Sequence, residues 1–153
     1  MSGTWLVTGG LGGLGLRGAS VLAGRGASRL VLSSRSGRVA REGQGQAAQL
    51  RGLAEGTASV CVVAYDGGDA GEAAASPAMV GPLSGLLHTA SVLADRLVQR
   101  MAAQHVALVL SSKAGAGAHL QAATAPLPMA AMVLFSSVAA AFGSVGQANY
   151  ASA

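Results

Sequence analysis

A glycine-rich stretch near the start of the chain has the composition of a phosphate-binding loop. Residues 8–15 are Thr-Gly-Gly-Leu-Gly-Gly-Leu-Gly, placed between an apolar run and a helix-like segment. Glycines at such a junction permit a tight turn, let the backbone approach a pyrophosphate, and allow close helix–strand packing. The free N–H groups and the positive dipole end of the helix favour phosphate. The stretch predicts dinucleotide binding by Thr8, Gly9, Gly10, Leu11, Gly12, Gly13, Leu14 and Gly15.

The end of the second apolar run indicates which dinucleotide is bound. Ser33, Ser34 and Arg35 close this run, and no acidic residue follows until Glu42. In a doubly wound fold, an acid at this place binds the 2′-hydroxyl of NAD, whereas an arginine accommodates the 2′-phosphate of NADP. Arg35 therefore predicts NADPH, the alternative being an exposed surface charge.

Positive charge is concentrated in the first third of the chain, although the net charge is only +4. Seven of the ten basic residues fall there, against one acid. They are Arg17, Arg25, Arg29, Arg35, Arg38, Arg41 and Arg51. The cluster is either a solvated basic face or a site for an anionic ligand. Nucleic acid is disfavoured as that ligand, because aromatic stacking platforms and a reading helix are both missing from the pattern.

Histidine and cysteine give weaker signals. His88, His105 and His119 lack the spacing of metal ligands, and a single cysteine makes a zinc site implausible. His88 closes an apolar run, so we expect it to be packed or bonded to backbone rather than catalytic. Cys61 lies inside an apolar run and is interpreted as a small core residue. It has no partner for an internal disulfide, which suits a reducing, cytoplasmic compartment.

Five apolar runs define the elements that must position these residues. Each holds four to eight apolar residues between turn formers, a pattern typical of strands buried on both faces. They are TWLVTGG, RLVLSSR, ASVCVVAYD, SGLLHTAS and AMVLFSSVAA. Helix-like segments alternate with them, including a long block from Asp95 to Thr124. The alternation predicts an α/β fold, a doubly wound parallel sheet of the Rossmann-like kind with helices on both faces.

Composition limits the remaining possibilities. The 153 residues, 51% of them hydrophobic and 23 of them glycine, fit one domain and exclude collagen and wholesale disorder. The segment 67–82 holds four glycines and two prolines, which predicts a short or frayed helix. The stretch 114–153 has no charged residue, but its apolar run Met129–Phe142 is too short to cross ~30 Å of hydrocarbon. No secretory signal is visible at the start.

Taken in order, the motifs resemble those of short-chain dehydrogenase/reductases. More narrowly, they resemble ketoreductase domains of modular polyketide synthases and animal-type fatty acid synthases. The T-G-x-x-x-G-x-G loop, Ser137 thirteen residues before Tyr150, and GQANYASA carry the likeness. LVLSSRSG, PLSGLLHTASVLAD and SSKAGAGAHL extend it over essentially the whole chain. The resemblance implies NADPH-dependent reduction of a β-ketoacyl thioester held by an acyl carrier protein, beside other synthase domains.

The resemblance also implies a role for individual residues. Tyr150 would be the proton donor, Ser137 its hydrogen-bonding partner, and Lys113 the catalytic lysine. The implied cofactor contacts are Gly9, Gly13 and Gly15 at the phosphates, Ser34 and Arg35 at the 2′-phosphate, Asp66 on the adenine side, and Ala90 and Ser91 beside the nicotinamide ribose.

Elementary chemistry agrees with these catalytic roles. Ketone reduction needs a hydride donor and an acid for the developing alkoxide. A nearby cation favours the phenolate form of tyrosine, and a lysine ammonium is compact enough for that task. Lys113 is the only lysine in the chain, against nine arginines. The alternatives are that Tyr150 is an ordinary surface residue, Ser136 and Ser137 are turn formers, and Lys113 is a solvated helix charge.

Two residues bear on stereochemistry. The resemblance aligns Leu93-Ala94-Asp95 with a Leu-Asp-Asp motif of ketoreductases that give the D-configured β-hydroxyl, and Phe142 with a tryptophan of the opposite class. Asp95 and Phe142 are therefore expected to control the side from which the acyl chain enters, favouring the D-configured product. The alternative is that Asp95 only caps a helix starting near Arg96.

The last residues limit what is expected of the chain by itself. It stops three residues after Tyr150, so the resemblance implies a C-terminally incomplete domain without a helix around Tyr150 and without a substrate lid. We expect these 153 residues alone to be a weak or inactive enzyme, because chain ends fray. Two other readings stay open: a free-standing short-chain carbonyl reductase, and a non-catalytic structural remnant of a ketoreductase.

Overall fold

Five parallel strands form one sheet in the order β3-β2-β1-β4-β5. The computed structural model describes residues 2–39 and 44–153. The strands are β1 (Thr4–Thr8), β2 (Arg29–Ser34), β3 (Ser59–Ala64), β4 (Gly85–His88) and β5 (Ala131–Leu134). Every pairing is parallel, and the order reverses direction between β1 and β4. The doubly wound, Rossmann-like sheet expected from the apolar runs is confirmed.

Each strand is followed by one or more helices. They are α1 (Gly13–Gly24), α2 (Gln46–Ala54), α3 (Ala70–Val80), α4 (Ala103–Leu110), α5 (Ala116–Thr124), α6 (Val138–Phe142) and α7 (Ala148–Ala151), with a 3₁₀ turn at Val98–Arg100. A π-helical turn, Ser111–Gly115, joins α4 to α5, so that 103–124 forms one helical segment. Within the described ranges, none of the helices is long and apolar enough to cross a bilayer.

Each face of the sheet packs a separate core. Along β1, Trp5 and Val7 point to one face, where they meet Leu16 and Leu22 of α1. Leu6 points to the opposite face and joins a second cluster that includes Val80 of α3 and Leu120 of α5. This alternation is the period of two that any strand imposes on its side chains. The expected helices on both faces are therefore present.

The two edge strands are less buried than the sequence pattern suggests. Side chains of β1 and β4 are almost entirely buried, whereas those of β3 and β5 are half-buried or exposed. An edge strand has a neighbour on one side only, and the helices cover the centre of the sheet first. The prediction of burial on both faces holds for the central strands and is wrong for these two.

The segment between β3 and β4 also differs from expectation. It forms an 11-residue helix, α3, rather than a short or frayed one. Asp69 caps its start by accepting a hydrogen bond from Glu72 N at 2.9 Å, and Ala73 and Val80 are buried on its inner face. Capping and burial together offset the cost of Pro77 inside the helix. Gly81, at φ +81°, ends it.

Tyr150 lies in a helical turn after all. The expectation of no helix around it is wrong, because α7 spans Ala148–Ala151. The reason is a local anchor, the buried side chain of Asn149. Its Nδ2 donates to Ala94 O at 3.0 Å and to His105 O at 3.1 Å, while its Oδ1 accepts from Tyr150 N at 2.9 Å. Tertiary bonds of this kind hold a turn that could not persist by itself.

Candidate active site

The carboxyl ends of the parallel strands bring the candidate residues to one edge of the sheet. Thr8 ends β1, Ser34 ends β2 and His88 ends β4. Because the strand order reverses between β1 and β4, a crevice opens above their carboxyl ends. The phosphate loop follows β1 at this edge, and His88 at the end of β4 contacts the carbonyl oxygen of Lys113.

The phosphate loop is tightly packed and has no room for a side chain at three of its glycines. Gly9 has φ +69°, and a Cβ there would lie 2.6 Å from Ala90 N. A Cβ on Gly10 would lie 3.0 Å from Leu32 Cα, and one on Gly15 would lie 2.6 Å from Gly10 Cα. The loop therefore needs glycine at these three positions.

The start of α1 fits a dinucleotide. Gly12 is its N-cap and supplies no side-chain cap, so the first N–H groups of the helix are left for a ligand. Gly12, Gly13 and Leu14 are exposed. Bare N–H groups at the positive end of a 12-residue helix match the donor set that a pyrophosphate requires.

Two loop residues named as cofactor contacts have other partners. The Leu11 side chain is buried in the core beside Leu16, and it anchors the loop from below. The Thr8 side chain is also buried, and its Oγ1 lies 2.6 Å from Nδ1 of His88. Their side chains therefore support the loop through packing and hydrogen bonding.

The ends of β2 and β3 present the residues expected around the adenosine. Ser34 Oγ donates to Arg38 O at 3.2 Å, which closes a turn that leaves Arg35 exposed. Asp66, after β3, accepts from Gly68 N at 2.9 Å. Ala90, whose backbone touches the Gly9 position, and Ser91 follow β4 in an irregular loop.

The basic cluster predicted from sequence is not a single surface. Arg29 lies at the opposite end of β2 from Arg35, and its Nη1 donates to Val80 O at 3.0 Å. Arg35 and Arg38 are exposed at the carboxyl edge. Arg41 and Glu42 lie outside the described residues. Only part of the cluster can therefore face a ligand bound at the crevice.

Lys113 and Tyr150 are brought together in the structure. Lys113 lies in the π-helical turn and is 6% exposed. Its Nζ lies 4.5 Å from the centroid of the Tyr150 ring, which is within the range of a cation–π contact. Among the described residues, this ammonium has no hydrogen-bond acceptor. A buried cation without a partner is costly, so the arrangement is suited to a ligand that brings one.

The second tyrosine of the chain has the opposite character. Tyr65 follows β3 and is packed in the core beside Leu6 and Val31. Burial raises the pKa of Tyr65 to about 12, chiefly because the phenolate would lose its hydration. A phenol shifted in this direction is a poor acid near neutral pH. Of the two tyrosines, only Tyr150 lies beside the lysine.

His88 lies beneath the lysine. It is 2% exposed, and its Nε2 lies 3.2 Å from Lys113 O. Burial lowers the pKa of His88 below its ordinary value of 6.5, and the positive charge of Lys113 acts in the same direction. The expectation that His88 would be packed or bonded to backbone matches this placement.

A cleft of about 370 Å³ opens beside these residues. It is lined by His88, Lys113, Ala114, Gly117, Ala118, Gln121, Leu134, Phe135, Ser136 and Ala153. Ser137, the expected partner of Tyr150, instead caps α6, with its Oγ accepting from Ala139 N at 3.2 Å. The neighbouring Ser136 is the serine that lines the cleft.

The loop after β4 is bonded to the segment before Tyr150. Gln147 Nε2 donates to Asp95 Oδ2 at 3.0 Å, and Arg96 N donates to Gly146 O at 2.8 Å. Asp95 therefore does not cap a helix at Arg96, and the next helical turn starts only after Leu97. Phe142 is 88% exposed, so its side chain makes little contact with the rest of the described chain.

Two residues of this site were not singled out from sequence as contributors. Asn149 anchors α7 to two elements, but an asparagine beside a tyrosine carries no signal of that role by itself. For His88 the sequence predicts a packed or backbone-bonded side chain at the end of a strand, but not its bond to Thr8. Its position directly across from Thr8 could have been found from the parallel register, which pairs the two residues. Within the described ranges, no group of three or more His, Cys, Asp or Glu side chains could hold a metal ion.

Comparison with known proteins decides the family. The model of the KR domain matches residues 3–153. The chain belongs to the KR domain family. It is 40% identical over 153 residues to polyketide synthase GfsB of Streptomyces halstedii, covering 100% of this chain and 3% of that protein. It is 42% identical over 156 residues to the mycoketide-CoA synthase of Mycobacterium tuberculosis, covering 99% of this chain and 4% of that protein.

Solved structures agree with this assignment. An A-type ketoreductase from a modular polyketide synthase matches the KR domain described here with a TM-score of 0.85 and 39% identity. The match covers 98% of this chain and 32% of that one. The KR domain of this chain is thus a short-chain-dehydrogenase-like ketoreductase of the polyketide synthase type, a family that uses NAD(P)H. It spans about a third of the solved ketoreductase chain and a few percent of the curated synthases.

Proposed function

We propose that this KR domain reduces a β-ketoacyl thioester to the β-hydroxyacyl product with NADPH. The observation that carries the proposal is the Lys113 ammonium over the ring of Tyr150. A cation beside a phenol, near a dinucleotide site, is the combination that ketone reduction requires. The non-catalytic reading would leave a buried, unpartnered lysine without a purpose.

The side chains divide the chemistry between them. When bound, NADPH supplies the hydride that reduces the β-carbon. Tyr150 donates its phenolic proton to the carbonyl oxygen, so that no free alkoxide accumulates. The Lys113 ammonium stabilises the negative charge left on the phenol, and it does so strongly because the site is largely buried. Ser137, with its hydroxyl hydrogen still available, is proposed to hydrogen-bond the substrate oxygen or Tyr150.

The preference for NADPH is proposed to rest on the end of β2. Arg35 is exposed there, and the Ser34–Arg38 bond shapes the turn that carries it. A guanidinium can bind a 2′-phosphate in a bidentate manner. On the other side of β2, Asp66 is proposed to contact the adenine, while the loop at Ala90 and Ser91 borders the nicotinamide ribose.

The setting is proposed to be a polyketide or fatty acid synthase. The matched curated relatives are long synthases of which this chain covers 3–4%. By analogy, the partners would be an acyl carrier protein that presents the β-ketoacyl group and the other domains of the same synthase. The cleft beside Lys113 is large enough for a short acyl chain and lies open to solvent.

Stereochemical control is proposed to reside in Asp95 and Phe142. Asp95 is held by Gln147, and Phe142 lies exposed at the end of α6. An acid and a bulky ring on different elements can restrict the side from which the acyl chain enters. We propose the D-configured product; chiral chromatography of the alcohol tests this, and a predominantly L-configured product would contradict it.

The proposed activity is tested by comparing the same substitution at the two tyrosines, Tyr150 and Tyr65. Reduction of a small β-ketoacyl thioester is followed through NADPH absorbance, in the 153-residue chain and in the full polypeptide that carries it. Tyr150→Phe should abolish reduction in any form that is active, whereas Tyr65→Phe, the matched control in the core, should leave it within a few-fold of wild type. Equal rates for wild type and Tyr150→Phe would overturn the proposal. NADPH binding without reduction in the full polypeptide would favour the non-catalytic reading.

A further inference from the structure

His88 contacts both the residue that begins the phosphate loop and the turn that carries Lys113. Its Nδ1 lies 2.6 Å from Thr8 Oγ1, at the start of the phosphate loop, and its Nε2 lies 3.2 Å from Lys113 O. We propose that His88 is a positioning residue, which holds the π-helical turn of Lys113 in place through the Lys113 carbonyl. The inference rests on the proposed function, because it assigns Lys113 a place that matters for proton donation by Tyr150.

The chemistry of the partners determines where the ring hydrogen lies. A carbonyl oxygen can only accept, so Nε2 must carry the hydrogen and donate it to Lys113 O. Nδ1 of the neutral ring is then an acceptor, and Thr8 Oγ1 donates to it. Thr8 is itself fixed, since its carbonyl accepts from both Thr89 N and Thr89 Oγ1 at 2.9 and 2.8 Å. Burial lowers the pKa of His88 and so favours the neutral ring, in which only one of the two nitrogens carries a hydrogen.

The hydrogen bond from His88 to Lys113 O matters because Lys113 lies in a π-helical turn. A π-helical turn interrupts the regular α-helical register, and such turns occur mainly at functional sites. If Ser111–Gly115 returned to α-helical register, residues on one side would rotate by about 100° relative to the other, the angle between successive helix residues. Lys113 would then no longer be held over the Tyr150 ring. The ring N–H of His88 binds the carbonyl of the turn in the observed register.

Two substitutions of His88 test whether the hydrogen-bond donor to Lys113 O matters for the position of Lys113. His88→Gln places an amide N–H near the position of Nε2, so it keeps a donor for Lys113 O. His88→Asn reaches only the position of Nδ1, so it keeps a partner for Thr8 but loses the donor to Lys113. Both are polar amides without charge. Asparagine is also smaller than glutamine, so the ranking of these two variants is read together with the ring tautomer and the Thr8 variants, which filling of space alone would not determine.

The single lysine of the chain supplies the measurement. Incorporation of ¹³C,¹⁵N-lysine gives one set of lysine NMR signals, all from Lys113. Protons above an aromatic face are shifted upfield by the ring current, and Nζ lies 4.5 Å from the ring centroid. The ε-methylene signals should therefore lie upfield in wild type and return to the ordinary position in Tyr150→Leu. We expect His88→Gln to retain the upfield shift and His88→Asn to lose it.

Further readouts keep the proposal falsifiable if an amide variant does not fold. Long-range ¹H–¹⁵N spectra of the wild-type ring should show a protonated Nε2 and an acceptor Nδ1; the opposite tautomer would overturn the proposal. Thr8→Val removes the donor to Nδ1 and should reduce the lysine shift, with Thr8→Ser restoring it. In the full polypeptide, His88→Asn should lower kcat by up to roughly 100-fold, with His88→Gln recovering most of it.

The outcomes also separate this inference from the proposed function. A folded His88→Asn variant with the wild-type lysine shift would overturn the positioning role and leave the proposed reduction unaffected. A wild-type lysine signal without any upfield shift would overturn it as well. Conversely, the expected ranking of shifts in the 153-residue chain, together with a full polypeptide that reduces no ketone, would support the positioning role and contradict the proposed function.

Discussion

The buried ammonium of Lys113 lowers the stability of the fold but is needed for the proposed reduction. Its ammonium is buried and has no acceptor among the described residues. Replacement by methionine keeps an unbranched side chain of similar length and removes the charge. We expect Lys113→Met to raise the free energy of unfolding by about 1 kcal/mol, the cost of an unsatisfied buried polar group. Reduction of the ketone should be lost in the same variant. Denaturant unfolding and an NADPH assay measure the two effects, and a clear loss of stability would show that the ammonium is better solvated than its surroundings indicate.

His88 should make the stability of the chain depend on pH. Burial lowers the pKa of His88 below 6.5, so the unfolded state takes up a proton at a higher pH than the folded state. The unfolded state therefore binds more protons in this range, and the free energy of unfolding falls as the pH drops below about 6.5. Unfolding curves of wild type and His88→Gln are compared between pH 7.5 and 5, from roughly one unit above to one and a half below the ordinary histidine pKa. The comparison isolates the contribution of His88 to the pH dependence of the free energy of unfolding. The difference between the two should shrink toward acid; a constant difference would show that His88 does not titrate differently on folding.

Arg35 should determine the choice between the two nicotinamide cofactors. It is exposed at the end of β2 with no acid beside it in the described structure. We expect Arg35→Ala to weaken NADPH binding roughly 10- to 100-fold, the value of one charge-assisted bond, and to leave NADH binding unchanged. Arg25→Ala is the matched control, since Arg25 is equally exposed but lies at the far end of α1. Equal affinity of the wild-type chain for both cofactors would contradict the assignment.

Among the elements, the phosphate loop is the least tolerant of substitution. A Cβ on Gly9 would meet the backbone of Ala90 at 2.6 Å, and its φ of +69° is strained for any other residue. Gly9→Ala should destabilise the fold by about 1–3 kcal/mol and abolish dinucleotide binding. Gly24→Ala, at the last residue of α1 with no atom of another part of the chain within 4 Å of the added Cβ, should instead stabilise by up to about 1 kcal/mol. Thermal unfolding and cofactor titration of both variants measure these effects. Equal stability and equal cofactor binding of the two alanine variants would contradict the prediction.

Helix α7 depends on one side chain for its position. Asn149 Nδ2 donates to two carbonyl oxygens, from the loop after β4 and from α4. Asn149→Asp has the same shape but turns an acceptor toward both oxygens, so it should detach α7 and carry Tyr150 away from Lys113. We expect reduction to be lost and the upfield lysine signal to disappear, with little change in the unfolding of the sheet. Ser152→Ala, which removes only a bond to Asn149 O, is the control; a normal signal in the aspartate variant would show that another contact holds α7.

The elements that could be predicted are those whose cause is local. The five strands follow from apolar runs between turn formers, and α1 follows from the glycine loop before it. The contact between the π-helical turn and His88 could not be predicted, because the two lie 25 residues apart in the chain. The same is true of α7, whose four residues persist only through the contacts of Asn149. Helix α3 shows the converse, since its glycines and Pro77 suggest fraying while its cap and buried face keep it ordered.

For the molecule as a whole, parallel topology explains why so much of the site was visible in the sequence. Residues at the carboxyl ends of parallel strands must meet at one edge, so Thr8, Ser34 and His88 can be placed together without coordinates. The approach of Lys113 to Tyr150 could not be placed in this way. Both residues lie outside the sheet, and their contact depends on how two helical segments pack on it. The residues were identified by resemblance, and their geometry required the structure.

The pairing register of β1 and β4 limits where insertions and deletions can be tolerated in this chain. Thr8 and His88 are direct neighbours across these strands, which is why their side chains can bond. Inserting or deleting one residue inside β4 would shift the pairing by one and turn His88 to the opposite face of the sheet. Changes in length should therefore accumulate only in the connections, such as the turn at Gly81, where the strand can re-enter in the same register. Because the Thr8–His88 hydrogen bond requires this pairing register, insertions and deletions inside β4 should be selected against.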